Sequence, residues 1–226
     1  MLIRREGGCG LIQRTRAELF TLLCLYAGLR REEALGLLWP DVHLDGGSPH
    51  LDVRHAVTFD KNGRPAHSPE LKSNAAYRTI PIPPPLLEAL RRRRDDNSSP
   101  FVVPSDKTGL EMSLSAFRRM WQPVQGYSYP VVKRDDSGNS VKGENGKSKK
   151  EKKSIPGLVS YRVHPHLLRY TYITELCLSG LDIKKIQYLA GHETVQMTLD
   201  IYAEVVGNRP EDLAPIINRH FAEAAG

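Results

Sequence analysis

His166 and Arg169 stand three residues apart in the run His164-Pro-His166-Leu-Leu-Arg169-Tyr-Thr. On a helix that spacing puts both side chains on one face, where they can meet one ligand. An imidazole moves a proton near neutral pH, and a guanidinium grips two phosphate oxygens through its fork of N–H groups. Farther on come Leu189-Ala-Gly191-His192 and, after nine intervening residues, Tyr202. Arg30 follows Gly28 in the tight link between two helical stretches, a place where a side chain can be held rigidly.

These residue types suit a phosphodiester. Two arginines from distant segments can take both non-bridging oxygens and bind them more strongly as charge accumulates in a five-coordinate transition state. Tyr202 is the candidate to attack phosphorus, and its unperturbed pKa of about 10 means it needs help losing a proton. His166 is a candidate for that help or for a structural hydrogen bond. His192 can donate a hydrogen bond to the phosphate. The leaving alkoxide needs a proton, for which Lys72, on a predicted hairpin, is the candidate donor, with Lys61 on the same hairpin as its competitor. A phosphotyrosine conserves bond energy, so rejoining needs no cofactor, metal or nucleotide. His164, His166 and His192 lack a cysteine or acidic companion at zinc spacing.

The elements that must position these residues are legible as periodicities. Residues 15–27 carry Leu19, Leu22, Leu23 and Tyr26 as an apolar stripe and predict a helix ended by Gly28. Residues 32–39 predict a second short helix stopped by Pro40. Leu51, Val53, His55, Val57 and Phe59 alternate with polar or small residues and predict one half-buried strand. Asn62-Gly63 signals a hairpin turn, and residues 78–82 a further strand that Pro81 places at an edge or ends early. Helices are predicted over 86–94, over 113–124 with Ser113 as cap, and then over 165–179, 183–189, 194–205 and 210–225. Between 127 and 162 the composition changes. Gly, Ser, Asn and Lys dominate a flexible insertion at about 130–156, with a long hairpin expected between residues 129–132 and 158–161. The fold class expected is α+β: a mostly α-helical domain with a small antiparallel β-sheet in its first half.

Composition is that of a soluble globular chain, with 40% hydrophobic and 26% charged residues among 226. No apolar run approaches a membrane span and no signal peptide opens the chain. Cys9, Cys24 and Cys177 are odd in number and far apart, which argues against a disulfide framework and for a reducing compartment. The net charge is +6, and residues 130–153 hold eight Lys and Arg against four Asp and Glu. The basicity is therefore mostly local, in a segment that charge alone marks for DNA or a neighbouring subunit.

The chain resembles the catalytic domain of the tyrosine recombinases, the phage integrase family. The resemblance rests on Ala27-Gly-Leu-Arg30-Arg-Glu-Glu33-Ala-Leu-Gly-Leu-Leu-Trp39, on Leu71-Lys72-Ser73 before Arg78-Thr-Ile-Pro-Ile82, on Pro165-His166-Leu-Leu-Arg169-Tyr-Thr, and on Leu189-Ala-Gly-His192 with Thr198-Leu-Asp-Ile-Tyr202. These segments occur in the family's order. The resemblance implies Arg30 and Arg169 as phosphate clamps, Lys72 as general acid, His166 and His192 as the histidine positions, Tyr202 as nucleophile and Glu33 as acidic support. It implies double-stranded DNA as partner, a homotetramer on DNA docked through the C-terminal segment (about 209–225), and an accessory DNA-bending or directionality factor. It implies a bacterial, cytoplasmic, nucleoid-associated enzyme that integrates or excises a mobile element through a 3′-phosphotyrosine. The family usually carries a core-binding domain ahead of this one. The residues before Thr15 leave no room for it, so residues 1–226 are expected to be a catalytic domain alone. Glu204 stands where many members have a histidine. Two rival readings share these residues: relaxation of DNA in the manner of a type IB topoisomerase, and a truncated, non-catalytic DNA-binding module.

Overall fold

The computed structural model describes residues 8–68, 70–71, 73–95, 98–135, 139–143, 145, 147–156, 163–205, 214–215 and 217–218. Helix α1 (Gly8–Tyr26) runs through the middle of the larger core and lies against α3 (Pro84–Asp95), α4 (Leu114–Gln125) and α5 (Pro165–Leu178). Of the predicted stripe, Leu19 and Leu23 are fully buried while Leu22 and Tyr26 are partly so, and Phe20, outside that stripe, is fully buried beside them. Phe20 meets Phe117 and Trp121 of α4 edge-on, with ring centroids 5.1 and 5.5 Å apart, the offset geometry that aromatic quadrupoles favour. Gly28 ends α1 with φ +60°, and a Cβ there would overlap the Tyr172 ring. Only glycine lets α5 approach the end of α1 so closely.

Helix α2 is shorter than its apolar pattern predicts, spanning Arg31–Gly36 rather than reaching Trp39. Gly36 sits on the backbone of β3 (Ala56–Phe59), where a Cβ would lie 2.7 Å from the Ala56 Cα. Beyond it the chain turns extended, because Leu37 and Trp39 exchange backbone hydrogen bonds with Val102 and Pro100. A single turn of 3-10 helix then forms at Trp39–Asp41.

The predicted strand over 51–59 is two strands. Its inward alternation continues through Leu51, Val53 and Val57, but its partners change at Arg54. Strand β2 (His50–Val53) lies between β1 (Val42–His43) and β5 (Arg78–Pro81) in an antiparallel sheet, order β1-β2-β5. Strand β3 instead pairs with β4 (Pro65–Ser68) across a turn at Asn62-Gly63. β5 is an edge strand and ends at Pro81, in keeping with that proline.

The insertion is an antiparallel ribbon, β6 (Gly126–Val132) with β7 (Lys150–Pro156). The returning strand thus comes earlier than expected, and residues 158–161 lie outside the described ones. At its tip the backbone forms a three-way junction. Lys133 N–H donates to Lys149 O, Lys149 N–H to Val141 O, and Val141 N–H to Lys133 O.

The last helices, α5, α6 (Ile183–Ala190) and α7 (Val195–Val205), enclose a second small core of Ile173, Cys177, Ile186 and Ala190. Gly180 and Gly191 stand at the helix stops, both with positive φ. Cys24 and Cys177 are buried free thiols. Among the described residues no helix is long and apolar enough to cross a membrane. Most of the expected C-terminal helix lies outside the described residues.

Candidate active site

Helix α6 ends in three carbonyls, each of which accepts a hydrogen bond from a different arginine. Arg78 Nε donates to Leu189 O at 3.0 Å, Arg169 Nη2 to Ala190 O, and Arg30 Nη2 to Gly191 O at 2.8 Å. The last carbonyls of a helix have no partner within it and carry the negative end of its dipole, so cations collect there. These arginines arrive from β5, from α5 and from the link between α1 and α2. One helix end therefore gathers segments as far apart as residues 30 and 191.

Glu33 balances them from the other side. It is buried in the first turns of α2 and accepts from the Arg30 backbone N–H (2.8 Å), Arg30 Nη1 (2.8 Å), Arg78 Nη1 (3.2 Å) and Arg78 Nη2 (2.9 Å). Burial alone would raise its pKa, but the charge and hydrogen bonds of Arg78, followed by those of Arg30, hold it down at about 2. Three guanidinium groups thus face one carboxylate, and the surplus is positive. Arg169 is buried and ties two helix ends together, because its Nη1 donates to Gly28 O at the end of α1. Burial, and next the Arg30 charge, lower its pKa to about 9, so it stays charged at neutral pH. Each terminal nitrogen of Arg30 and Arg169 has a second N–H beyond the bonds just described.

An open cleft of about 440 Å³ lies above this cluster, lined by Arg30, Arg31, Glu32, His164, Pro165, His166, Arg169, His192 and Met197. Four of the residues singled out from sequence thus share one cavity: Arg30, His166, Arg169 and His192. His166 is exposed on the first turn of α5. Its neighbour His164 caps that helix by accepting the Leu167 N–H at Nδ1 (3.2 Å). His192 is buried, with Nδ1 2.9 Å from Thr198 Oγ1 on α7. Burial, then the charges of Arg169, Arg30 and Arg78, push its pKa down to about 4, so its ring is neutral at pH 7. Its Nε2 makes no hydrogen bond among the described residues.

Three predicted positions stand differently. Lys72 lies outside the described residues. Its neighbours Leu71 and Ser73 line a second cavity, of about 330 Å³, together with Arg30, Glu33 and Gly191. Lys61 lies at the tip of the β3–β4 hairpin and lines neither cavity. Tyr202 is half-buried against the second core and does not line the cleft. It is four residues beyond Thr198, on the same face of α7, and Tyr170 of α5 donates to Glu204 on that helix at 2.5 Å. Among the described residues no group of three or more His, Cys, Asp or Glu side chains comes together as a metal site.

Sequence reasoning missed Arg78 and Thr198 as members of this arrangement. The signal for Arg78 was present. It alternates with Ile80 and Ile82 on the inward face of a strand, and an inward arginine needs an acidic partner. Thr198 gave no such signal, because a threonine one turn into a helix is unremarkable by type.

The phage integrase family model matches residues 11–209 of this chain. The chain belongs to the phage integrase family. A XerC-like tyrosine recombinase of Caldanaerobacter subterraneus is 25% identical over 214 residues, covering 91% of this chain and 50% of that protein. The transposase of transposon Tn916 from Enterococcus faecalis is 29% identical over 184 residues, covering 80% of this chain and 40% of that protein. This phage integrase chain thus spans about half the length of the curated relatives it matches. The Tn1549 transposon integrase, solved in complex with transposon right end DNA, has the same fold, with a TM-score of 0.62 at 18% identity over 94% of this chain and 60% of that one. The XerA recombinase superposes with a TM-score of 0.52 at 19% identity, covering 97% of this chain and 64% of that one.

The Glu33 geometry carries a stability prediction. Its folded pKa is depressed from 4.5 to about 2, so its contribution is present above pH 4.5 and is lost as pH falls through about 2. Glu33→Gln leaves Arg78 buried and unpaired, which costs about 3–5 kcal/mol at pH 7. Urea denaturation from pH 7 to 2 checks both parts. The variant is less stable at neutral pH and loses less between pH 4.5 and 2 than the wild type does.

Proposed function

We propose that this chain is the catalytic part of a site-specific DNA recombinase, which breaks and rejoins double-stranded DNA through a 3′-phosphotyrosine. The observation that carries this reading is the convergence of Arg30 and Arg169 on one cleft, with His166 and His192 beside them. A cavity with a surplus of guanidinium charge suits a phosphodiester, whose non-bridging oxygens need cations as they gain charge. The relatives named above are recombinases and transposases, which agrees with this chemistry.

In the cleavage step Tyr202 Oη forms a bond to phosphorus as the bond from phosphorus to the 5′ oxygen breaks. The phenol proton passes to His166 or to water. The departing 5′ oxygen takes a proton from Lys72. Lys72 is preferred over Lys61 because its two chain neighbours share a cavity with Arg30. His192 donates from Nε2 to a phosphate oxygen, which requires the Thr198 hydroxyl to donate to Nδ1 so that the proton sits on Nε2. Its depressed pKa suits a neutral donor. Attack by a 5′ hydroxyl of another strand reverses the step and exchanges strands.

Tyr202 must first reach the cleft. Met197, on the same helix, already lines it. Five residues at 1.5 Å each separate Met197 from Tyr202, about 7.5 Å along α7. A shift of α7 that breaks the Tyr170–Glu204 hydrogen bond would bring the phenol in. Assembly of a homotetramer on DNA through the C-terminal segment fits such a shift, and the mass of the protein–DNA complex in solution tests it. A strictly monomeric complex would count against the tetramer.

The first test is covalent trapping. The protein is incubated with labelled duplexes nicked next to candidate sites and then denatured. A protein–DNA adduct is expected with the wild type and none with Tyr202→Phe. An adduct that survives Tyr202→Phe would assign another nucleophile.

We also assign the β6–β7 ribbon to DNA contact, because its lysines at 149, 150, 152 and 153 are exposed and close together at the start of the returning strand. Replacing these four by Gln is expected to reduce the slope of log affinity against log salt by about 0.9 for each phosphate that is no longer neutralised. An unchanged slope would remove the assignment.

A further inference from the structure

Arg78 belongs to none of the steps above, yet its charge is fully enclosed. Its side chain has no exposed surface, and Glu33, its ion-pair partner, is 4% exposed. Of its five N–H groups, Nε takes Leu189 O at 3.0 Å, Nη1 takes Ala76 O at 2.8 Å and Glu33 Oε1 at 3.2 Å, and Nη2 takes Glu33 Oε2 at 2.9 Å. A residue serving only to neutralise Glu33 would not also need the end of α6.

Gly191 supplies an independent observation. It has φ +61°, and a Cβ built on it would lie 2.8 Å from Arg78 Nη1 and 3.1 Å from Arg78 Cζ. The turn that carries His192 thus rests directly on the Arg78 guanidinium. The other side of the same residue is its carbonyl, which accepts from Arg30. Arg78 and Arg30 therefore hold the Gly191 turn between them, and Glu33 joins the two arginines behind it.

We propose that Arg78 is the positioning residue of this site: its planar fork fixes Glu33, and through it Arg30, relative to the Gly191–His192 turn. The cleft is assembled from two halves of the chain, one ending at Arg30 and the other beginning at the helix of His166. Arg78 comes from β5, between them in sequence, and touches both. A flexible, single-point ammonium cannot make these bonds at once, so the planar fork is what the position demands. The inference deepens the cleavage reading and rests on it for the catalytic consequence only. The geometric consequence stands without it.

Two variants and two measurements test this. Arg78→Lys keeps the buried charge and loses the fork. Gly191→Ala keeps Arg78 and its ion pair but pushes the turn away from the guanidinium. In each, the His192 ring is followed by NMR through a pH titration. Both variants are expected to move the His192 resonances and to raise its midpoint from about 4 toward the ordinary 6.5, by about one pH unit or more, as the ring is released to water. On the nicked duplexes, each is expected to lower the first-order rate of adduct formation at saturating DNA by about 100-fold. Affinity for DNA should stay within about threefold. A purely structural Arg78 would lower the unfolding midpoint and leave the His192 titration and the rate of the folded fraction unchanged, and that result would overturn the proposal. If Arg78→Lys does not fold, Gly191→Ala gives the same reading: a His192 midpoint unchanged from that of the wild type overturns it. Absence of an adduct with the wild type would instead strike the cleavage reading and leave the His192 result standing.

Discussion

The C-terminal end of α6 is the constraint on which the rest of the site depends. Three consecutive carbonyls there, at Leu189, Ala190 and Gly191, are each taken by an arginine from another part of the chain. No helix can satisfy its own last carbonyls, so the need for donors is built into its ending. Arginine answers it with long reach, a charge suited to the dipole and N–H groups left over for a ligand. Like charges so close would repel one another, and Glu33 relieves this for Arg30 and Arg78 from below. Arg169 has no carboxylate within hydrogen-bond reach among the described residues, and burial, then the charge of Arg30, lowers its pKa, so an anion entering the cleft would be welcome beside it.

This arrangement explains several features that look local when taken singly. Gly28 and Gly191 hold the helix ends in conformations that present Gly28 O and Gly191 O, the first to Arg169 and the second to Arg30. The edge position of β5 leaves the Thr79 N–H free to donate to the Tyr188 hydroxyl of α6, beside the bond from Arg78 to Leu189 O. The start of α2 at Arg31 puts Glu33 in its first turn, where the dipole favours a carboxylate and where it can accept the Arg30 backbone N–H. His192 follows directly after the glycine turn, and Thr198 on α7 fixes its ring. The site's electrostatics and the packing of its halves are thus one set of bonds.

Much of this was legible in the sequence. Helical periodicity located α1, α3, α4, α5, α6 and α7 to within a few residues at most of their ends, because apolar stripes of that length have no competing interpretation. The candidates Arg30, His166, Arg169 and His192 were legible because their motifs occur together in the family's order, although each motif alone is a weak signal. What escaped was governed by partners distant in sequence. Nothing between residues 51 and 59 says that β2 pairs with β5 and β3 with β4. Nothing in residues 31–39 says that Gly36 meets the Ala56 backbone and ends the helix early. The return of the ribbon at Lys150 rather than at residue 158 depends on register, which a Lys-rich segment specifies weakly. Arg78 was readable as an inward charge, but its link to α6 was not. The position of Tyr202 against the second core reflects how α7 packs, which its own amphipathic pattern permits as readily as it permits a place in the cleft.

Two guanidinium groups meeting the charge of one phosphate are the centre of the proposed chemistry, and replacing a non-bridging oxygen at the scissile position by a methyl group tests it most directly. A methylphosphonate carries no negative charge, so it has less need of a cation at that oxygen. Cleavage by Arg30→Ala and by Arg169→Ala would be compared on phosphate and methylphosphonate duplexes of otherwise identical sequence. Recovery of at least one arginine variant on the neutral substrate, with Tyr202→Phe inactive on both, is the expected result. Equal loss on both substrates for both arginine variants would contradict it, because the arginines would then be acting on something other than the charge of the phosphate.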